Sequence, residues 1–318
     1  MELGFNKGIS NEDYHADREY ISSSALKLIL KDPKEYFKRY VKGDKDPTTS
    51  RAAFDFGTYI HSLILEPDTI EKEFAIFEGA SRRGKVYEEF KENNKGKIII
   101  TKSQNEKAKS MIEAFKENKK ANNIIDLENG IAEQTICTKL EDVKIKVRAD
   151  YNHQTTAMLN DEIYPFGLIV DIKTTSDPID KFSVGKTIAR YDYDLSAALY
   201  IDVLEHQLEV PQTFIFCFMS KTTNEVEVYQ ASDEMIENGR RKYKSALKKL
   251  KEARKTGIYY NEDVIPTVNL PYWAKFEEDE NDRERDDSSC EEIKGNDSTS
   301  GESDVGDTIL TTYRPEGC

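Results

Sequence analysis

Hydrophobic positions along the chain follow two periods, and the switches between them mark its elements. Leu26, Leu28, Ile29 and Leu30 follow Ser22-Ser23-Ser24, so a serine N-cap opens a helix that Pro33 interrupts. A second helix is predicted over 51–65, ending at Glu66-Pro67, because the residue before a proline is pushed out of the helical region. Thr101 caps a charged helix predicted to run to about residue 120. Period-two runs predict strands over 132–139, 143–151 and 167–173. A long helix is predicted over about 181–206, then strands over 213–219 and 225–230. An amphipathic helix over 234–255 closes the pattern, with Met235, Tyr243, Leu247 and Leu250 on its apolar side. This order predicts an α/β (α+β) fold with a mixed central sheet flanked by helices. No internal repeat is present.

Composition bounds the domain. Of 318 residues 37% are hydrophobic, which suits one large domain or one and a half, and the single domain is predicted over 1–275. The remaining 276–318 are polar and acidic, too poor in apolar groups to offset their ordering entropy, and are expected to form a disordered tail. No run approaches the roughly 20 apolar residues of a membrane span. The first residues lack a basic start followed by an apolar run, so no signal peptide is expected. Cys137, Cys217, Cys290 and Cys318 form no CxxC pair, which argues against zinc, an iron–sulfur cluster or a disulfide framework. Cys137 and Cys217 sit in apolar strand runs, as core residues do. A reducing, cytoplasmic location is the expectation.

The net charge of −14 looks wrong for a protein that handles DNA, but its distribution removes the objection. Between Glu277 and Asp307, 14 acids against three bases give −11, so the rest of the chain carries −3. Nucleic acid is not excluded as a partner. The many aromatics mostly follow core periodicity, and Trp273 reads better as an anchor for the end of the fold than as a base-stacking group.

The sharpest chemical signal is Ile169-Val170-Asp171-Ile172-Lys173. Strand alternation puts Asp171 and Lys173 on one face, Val170 and Ile172 on the other. A carboxylate beside an ammonium suits metal-assisted phosphodiester hydrolysis, the one holding a hard cation, the other orienting or activating water. Standing alone, the pair reads as a surface ion pair. Upstream, Val143, Ile145, Val147 and Ala149 alternate with Lys144, Lys146, Arg148 and Asp150. The two lysines fit the solvated face of an edge strand as well as they fit a site. Asp150, 21 residues before Asp171, is better explained as a second carboxylate, brought beside it by a hairpin turning around Asn160-Asp161. Gly57-x-x-x-His61 adds a third element, in which one helical turn separates the glycine from the imidazole and leaves room beside it.

The ordered set Ser22-Ser-Ser-Ala-Leu, Gly57-x-x-x-His61, Glu133, Arg148-Ala-Asp150, Asp171-Ile-Lys173 and Tyr200 resembles the RecE-type (exonuclease VIII-like) phage recombination exonucleases of the PD-(D/E)xK nuclease superfamily. It is more distantly similar to lambda exonuclease and the RecB nuclease domain. The likeness spans roughly residues 10–255. It implies a restriction-endonuclease-like core and a metal-dependent exodeoxyribonuclease acting 5′→3′ on linear duplex ends. It implies His61, Asp150, Asp171 and the Ile172 carbonyl as ligands of Mg²⁺ or Mn²⁺, Lys173 positioning the attacking water, and Glu133 orienting groups in the site. Glu133 also fits a simple edge-strand carboxylate. Ser22 to Ser24 match a phosphate-holding helix start, a place that plain N-capping also explains, and Tyr200 matches a DNA-facing position. Ser196 stands where the family usually carries the glutamine of Gln-x-x-x-Tyr, which puts one polar contact in doubt. The resemblance further implies a single-strand annealing protein as partner and a homo-oligomer around DNA. The alternatives are a structure-selective or restriction-type endonuclease on the same core, or a nonenzymatic recombination adaptor recruiting partners through the acidic tail.

Overall fold

A computed structural model describes residues 1–44, 51–79, 82–125, 128–159, 162–265 and 267–270. The chain opens with β1 (Gly4–Asn6), α1 (Asn11–Ala16), α2 (Ser23–Lys31), α3 (Pro33–Tyr36) and α4 (Arg51–Leu65). Next come α5 (Ile70–Glu73), β2 (Phe74–Phe77), α6 (Lys85–Asn93), β3 (Ile98–Thr101), α7 (Lys102–Glu117) and α8 (Lys119–Ile124). The strands β4 (Ile131–Leu140), β5 (Val143–Leu159) and β6 (Glu162–Thr175) lead to α9 (Lys181–Arg190) and α10 (Tyr193–Leu208). Last are β7 (Gln212–Ser220), β8 (Val226–Gln230) and α11 (Asp233–Thr256).

Among the described residues six strands form the main sheet in the order β1-β4-β5-β6-β7-β8. Every pairing is antiparallel except β6 with β7, which α9 and α10 connect as a parallel crossover. A small parallel pair, β2 with β3, stands apart. Two apolar cores cover the sheet. Leu26, Ile29, Leu195, Leu199, Leu247 and Leu250 from α2, α10 and α11 pack with Ile169, Phe214 and Phe216. Phe56, Ile60 and Met111 from α4 and α7 pack with Val170, Ile172, Cys217 and Met219. Each core loses about 2–5 kcal/mol when a fully buried leucine or isoleucine becomes alanine. The result is a mixed sheet between helical layers, the fold class expected from the pattern. Cys137 and Cys217 are both fully buried.

Most predicted elements lie where the pattern put them, and the departures have local causes. The long helix expected over 181–206 is two helices, because Asp192 adopts a left-handed backbone (φ 50, ψ 41). Aspartate tolerates that conformation better than most residues, and Lys242 secures it by donating to Asp192 at 2.7 Å and to Asp194 at 3.0 Å. The helix capped by Thr101 ends at Glu117, where Asn118 starts α8 by accepting from Ala121 N–H. β5 and β6 run longer than their apolar alternation. The segments β1, α1, β2, α6 and β3 were not expected. The strands and α1 are too short for a period to declare itself, and α6 has no buried residue to mark an apolar face.

Met1–Asn261 forms one compact unit. Of the second, Glu262–Cys318, the described residues are exposed chain without helix or strand. Trp273, the acidic segment 276–318 and the hairpin turn at Asn160 and Asp161 lie outside the described residues. Among the described residues no helix is long and apolar enough to cross a membrane.

Candidate active site

Strand register assembles an acidic row. The β4–β5 ladder pairs Ala132 with Tyr151 and Gln134 with Ala149, which leaves Glu133 opposite Asp150. The β5–β6 ladder ends at Tyr151 with Val170, so the next position aligns Asp150 with Asp171. Residues directly across a sheet share a face. Glu133, Asp150 and Asp171 therefore cross three adjacent strands on one side. Glu133 has a left-handed backbone (φ 47) just where the ladder lacks a pair, a conformation costing about 1–3 kcal/mol that surrounding structure must impose.

At Asp150 the strands β5 and β6 part. Beyond that point β6 continues beside β7, while β5 continues beside β4 and takes a short parallel bridge from Ile21 to Ile145. The Ile172 N–H donates to Asp150 Oδ2 at 2.7 Å. A carboxylate thus closes the backbone valence that the departing strand leaves open. The parting also divides the apolar row of β5, since Val143, Ile145, Val147 and Ala149 enter one core and Tyr151 the other.

His61 reaches this fork from α4. Its Nδ1 lies 3.6 Å from Asp150 Oδ2, and one ligand atom each from His61, Glu133 and Asp150 fall within 4.8 Å of one another. Asp171 is turned to its own strand neighbour, with Lys173 Nζ and Asp171 Oδ2 2.5 Å apart. Burial and the facing Asp150 push Glu133 up to about 8. Burial also pushes Asp171 up, against the pull of Lys173. For Lys173, burial acts downward but Asp171 and Asp150 overcome it and hold the ammonium above the ordinary lysine value. Three half-buried acids in a row repel one another, and the histidine and lysine flank them.

Beside these, α2 brings its first turn to the site. Ser22 Oγ accepts from Ala25 N–H at 3.4 Å as the N-cap, and Ser24 is exposed. Ser23 hydrogen-bonds the half-buried Tyr200, whose hydroxyl is raised well above the ordinary tyrosine value, first by burial and then by Tyr14, Asp171 and Asp150. Ser196, one turn before Tyr200, is half-buried on α10. The side that Gly57 turns toward the sheet faces Thr174, whose Oγ1 lies 3.8 Å from the position of an added Cβ. Room for the His61 imidazole therefore does not depend on glycine there, contrary to the sequence expectation.

A family of PDDEXK-like domains of unknown function, DUF3799, matches residues 22–259, about three quarters of the chain. The chain belongs to that PDDEXK-like family. Among solved structures, the PDDEXK-like chain is similar to a protein of Eubacterium rectale described as a candidate exonuclease, at 14% identity and a TM-score of 0.55, over 84% of this chain and 97% of that one. That likeness shows the fold. SSO0001 aligns over 68% of this chain and 84% of its own at 12% identity and a TM-score of 0.23, too weak to carry an argument. No curated protein sequence matches.

The donor set of this PDDEXK-like site fits a divalent cation. One imidazole nitrogen and two carboxylate oxygens converge, and a cation between Glu133 and Asp150 would relieve the repulsion that, after burial, raises Glu133. Asp171 adjoins the set, held by its ion pair.

Three features of the PDDEXK-like site were not read from the sequence. Lys27, one helical turn after Ser23, is lowered to about 8 by burial and by Lys173. Lys27 and Lys173 each lie over the Tyr193 ring, 5.1 and 5.2 Å from its centroid. The Ser23-x-x-x-Lys27 spacing was the available signal, since residues one turn apart share a helix face. Lys146, for which a solvated edge was one reading, is buried on a central strand and donates to the carbonyls of Tyr14 and Asp17. Its periodicity could not reveal that the chain before α2 folds over it.

Proposed function

We propose that this PDDEXK-like chain is a metal-dependent exodeoxyribonuclease that shortens one strand of linear duplex DNA, 5′→3′, leaving 3′ single strands. The observation that carries the reading is the row Glu133–Asp150–Asp171, with His61 against Glu133 and Asp150 and Lys173 against Asp171. Phosphodiester hydrolysis needs charge neutralised on the phosphoryl oxygens and a water aligned opposite the leaving oxygen. Mg²⁺ or Mn²⁺, when bound, would supply charge neutralisation and acidify water.

The chain's own residues do the rest. Glu133, Asp150 and His61 would hold the cation at the strand fork, and the Ile172 N–H fixes the Asp150 carboxylate in place. His61 Nδ1, 3.6 Å from Asp150 Oδ2, would supply the nitrogen ligand from the α4 side. Lys173 is a cation in this environment, so it orients the attacking water and meets negative charge on the phosphate rather than taking a proton. Asp171 fixes where that ammonium points. Ser22, Ser24, Tyr200 and the first turn of α2 offer donors to a phosphate beside the scissile one. An annealing protein that coats the released single strand and a homo-oligomer around the duplex follow from the resemblance to RecE-type exonucleases.

The test uses purified protein with Mg²⁺ or Mn²⁺ and duplexes labelled separately at each 5′ and 3′ end. Early release of 5′-terminal label from linear duplex, with closed circular duplex left intact, is expected. Cutting of the closed circle would turn the reading to an endonuclease on the same core. Cutting of neither substrate would turn it to a nonenzymatic adaptor.

A further inference from the structure

The helix α9 borders, through Thr187, the cavity that Lys173 lines, and has no part in the chemistry described. Its sequence, Lys181-Phe-Ser-Val-Gly-Lys-Thr-Ile-Ala-Arg190, carries three cations and no acid, in a chain whose net charge is −14. Val184, Thr187 and Ile188 are buried, so Lys181, Phe182, Gly185, Lys186, Ala189 and Arg190 share the exposed face. Phe182, Lys186 and Arg190 recur one helical turn apart.

Two aromatic rings on this face are left in water. Phe182 is 72% exposed and Tyr191, just past the helix end, 46%. Each is paired with a cation. Lys186 Nζ lies 4.1 Å from the Phe182 ring centroid, and the Arg190 guanidinium 5.3 Å from that of Tyr191. Tyr191 stacks on Tyr193, with centroids 5.5 Å apart and planes 24° from parallel, and the Tyr193 ring carries Lys173. The stripe therefore runs physically from Phe182 to the site. It ends in a cavity of about 280 Å³ lined by Lys173, Thr187, Tyr191, Tyr193 and Lys221. Asp177 also lines that cavity, and Asp180 at the helix start has its carboxylate engaged with the N–H groups of Phe182 and Ser183.

From this arrangement we infer that α9 and Tyr191 form a track for an unpaired DNA strand, with Tyr191 stacking on a base beside the phosphate that Lys173 meets. Alternating cations and exposed rings fit a single strand, which offers phosphates and free base faces together. A duplex hides its base faces, and an acidic peptide offers nothing for the rings to stack on. The track rests on the reading of the Lys173 cleft as a nuclease site. It adds that the end of the duplex is opened before cleavage and that the freed strand passes along α9. Small side chains at Gly185 and Ala189 let a sugar–phosphate chain lie close to the helix.

The test measures binding of a fluorescent 15-nucleotide oligothymidylate and of a blunt duplex to the full chain in EDTA, where no cleavage occurs, across a salt series. Tyr191→Ala is expected to weaken oligothymidylate binding about ten-fold, within the range for one stacked base, with its salt dependence unchanged. The pair Lys186→Ala and Arg190→Ala is expected to lower the slope of log affinity against log salt by about 1.4, about 0.7 per lost phosphate contact on a single strand. Gly185→Glu separates binding from folding. An added Cβ there meets open space, so the substitution raises helix propensity and Tm while its charge repels the strand and lowers affinity. Oligothymidylate affinity and slope unchanged in all these variants would overturn the track, as would effects confined to the blunt duplex. The nuclease reading would still stand if the same proteins cut DNA with Mg²⁺ present. Loss of strand binding in the variants of a protein that cuts no DNA would sink the nuclease reading and leave α9 as a single-strand surface without a cleavage step.

Discussion

Glu133 stands opposite Asp150 at a break in the β4–β5 ladder, and its backbone there is left-handed. Two carboxylates directly across a sheet destabilise it, and the pair is half-buried. In the metal-free protein Glu133 is raised from 4.5 to about 8. A carboxyl raised on folding binds its proton more tightly in the folded state, so its contribution is complete below about pH 4.5 and is lost as pH climbs through 8. Glu133→Gln removes that loss. Thermal melts in EDTA should show the variant gaining Tm on the unaltered protein as pH rises from 5 to 8. A gap that stays constant across that range would show that Glu133 does not titrate as its surroundings imply.

Asp150 serves two purposes that one substitution separates. Its carboxylate accepts from Ile172 N–H, and an asparagine oxygen in the same place still accepts. Asp150→Asn should therefore keep the fold while losing the response to Mn²⁺. For the unaltered protein an ion at about 100 times its dissociation constant adds about 2.7 kcal/mol. Calorimetric melts with and without Mn²⁺ check this. An equal gain in the variant would remove Asp150 from the ligand set.

Lys173 is expected to be needed for rate and not for cation binding. Lys173→Ala should bind metal and duplex ends and lose at least about 100-fold in rate, as removal of one preorganised charge aimed at the transition state does. Single-turnover cleavage beside Mn²⁺ titration distinguishes the roles. A variant that fails to bind Mn²⁺ but keeps its rate would reverse the assignment.

The acids and the histidine should rank. Asp171→Ala strips Lys173 of its 2.5 Å partner as well as removing a carboxylate, so it should abolish cleavage with either metal. His61→Ala should be milder, because a neutral imidazole gives a hard cation less charge than a carboxylate. Cleavage rates of the two variants in Mg²⁺ and in Mn²⁺ test the order.

Gly57→Ala should stabilise the protein by about 0.5–1 kcal/mol, the usual gain for alanine over glycine in a helix. The new methyl meets Thr174 Oγ1 at an ordinary 3.8 Å. A falling denaturation midpoint would mean the contact between α4 and β6 is tighter than that distance allows.

Much of this site was legible in the chain itself. Alternation put Asp171 and Lys173 on one strand face, and a helix period with a proline stop gave α4 and its histidine, because both are matters of local geometry. The mixed fold followed from the order of those periods. What alternation could not supply was register. A shift by one residue turns a whole strand over, so only the paired strands reveal that Glu133, Asp150 and Asp171 form one row, and that Asp150 ties off Ile172 where β5 and β6 part. The break at Asp192, the burial of Lys146 under the segment before α2, and the approach of Lys27 to Lys173 depend on contacts between residues far apart in sequence. A local period carries no information about such contacts. The residue types were therefore fixed by the chain, and their convergence on one fork was decided by tertiary packing.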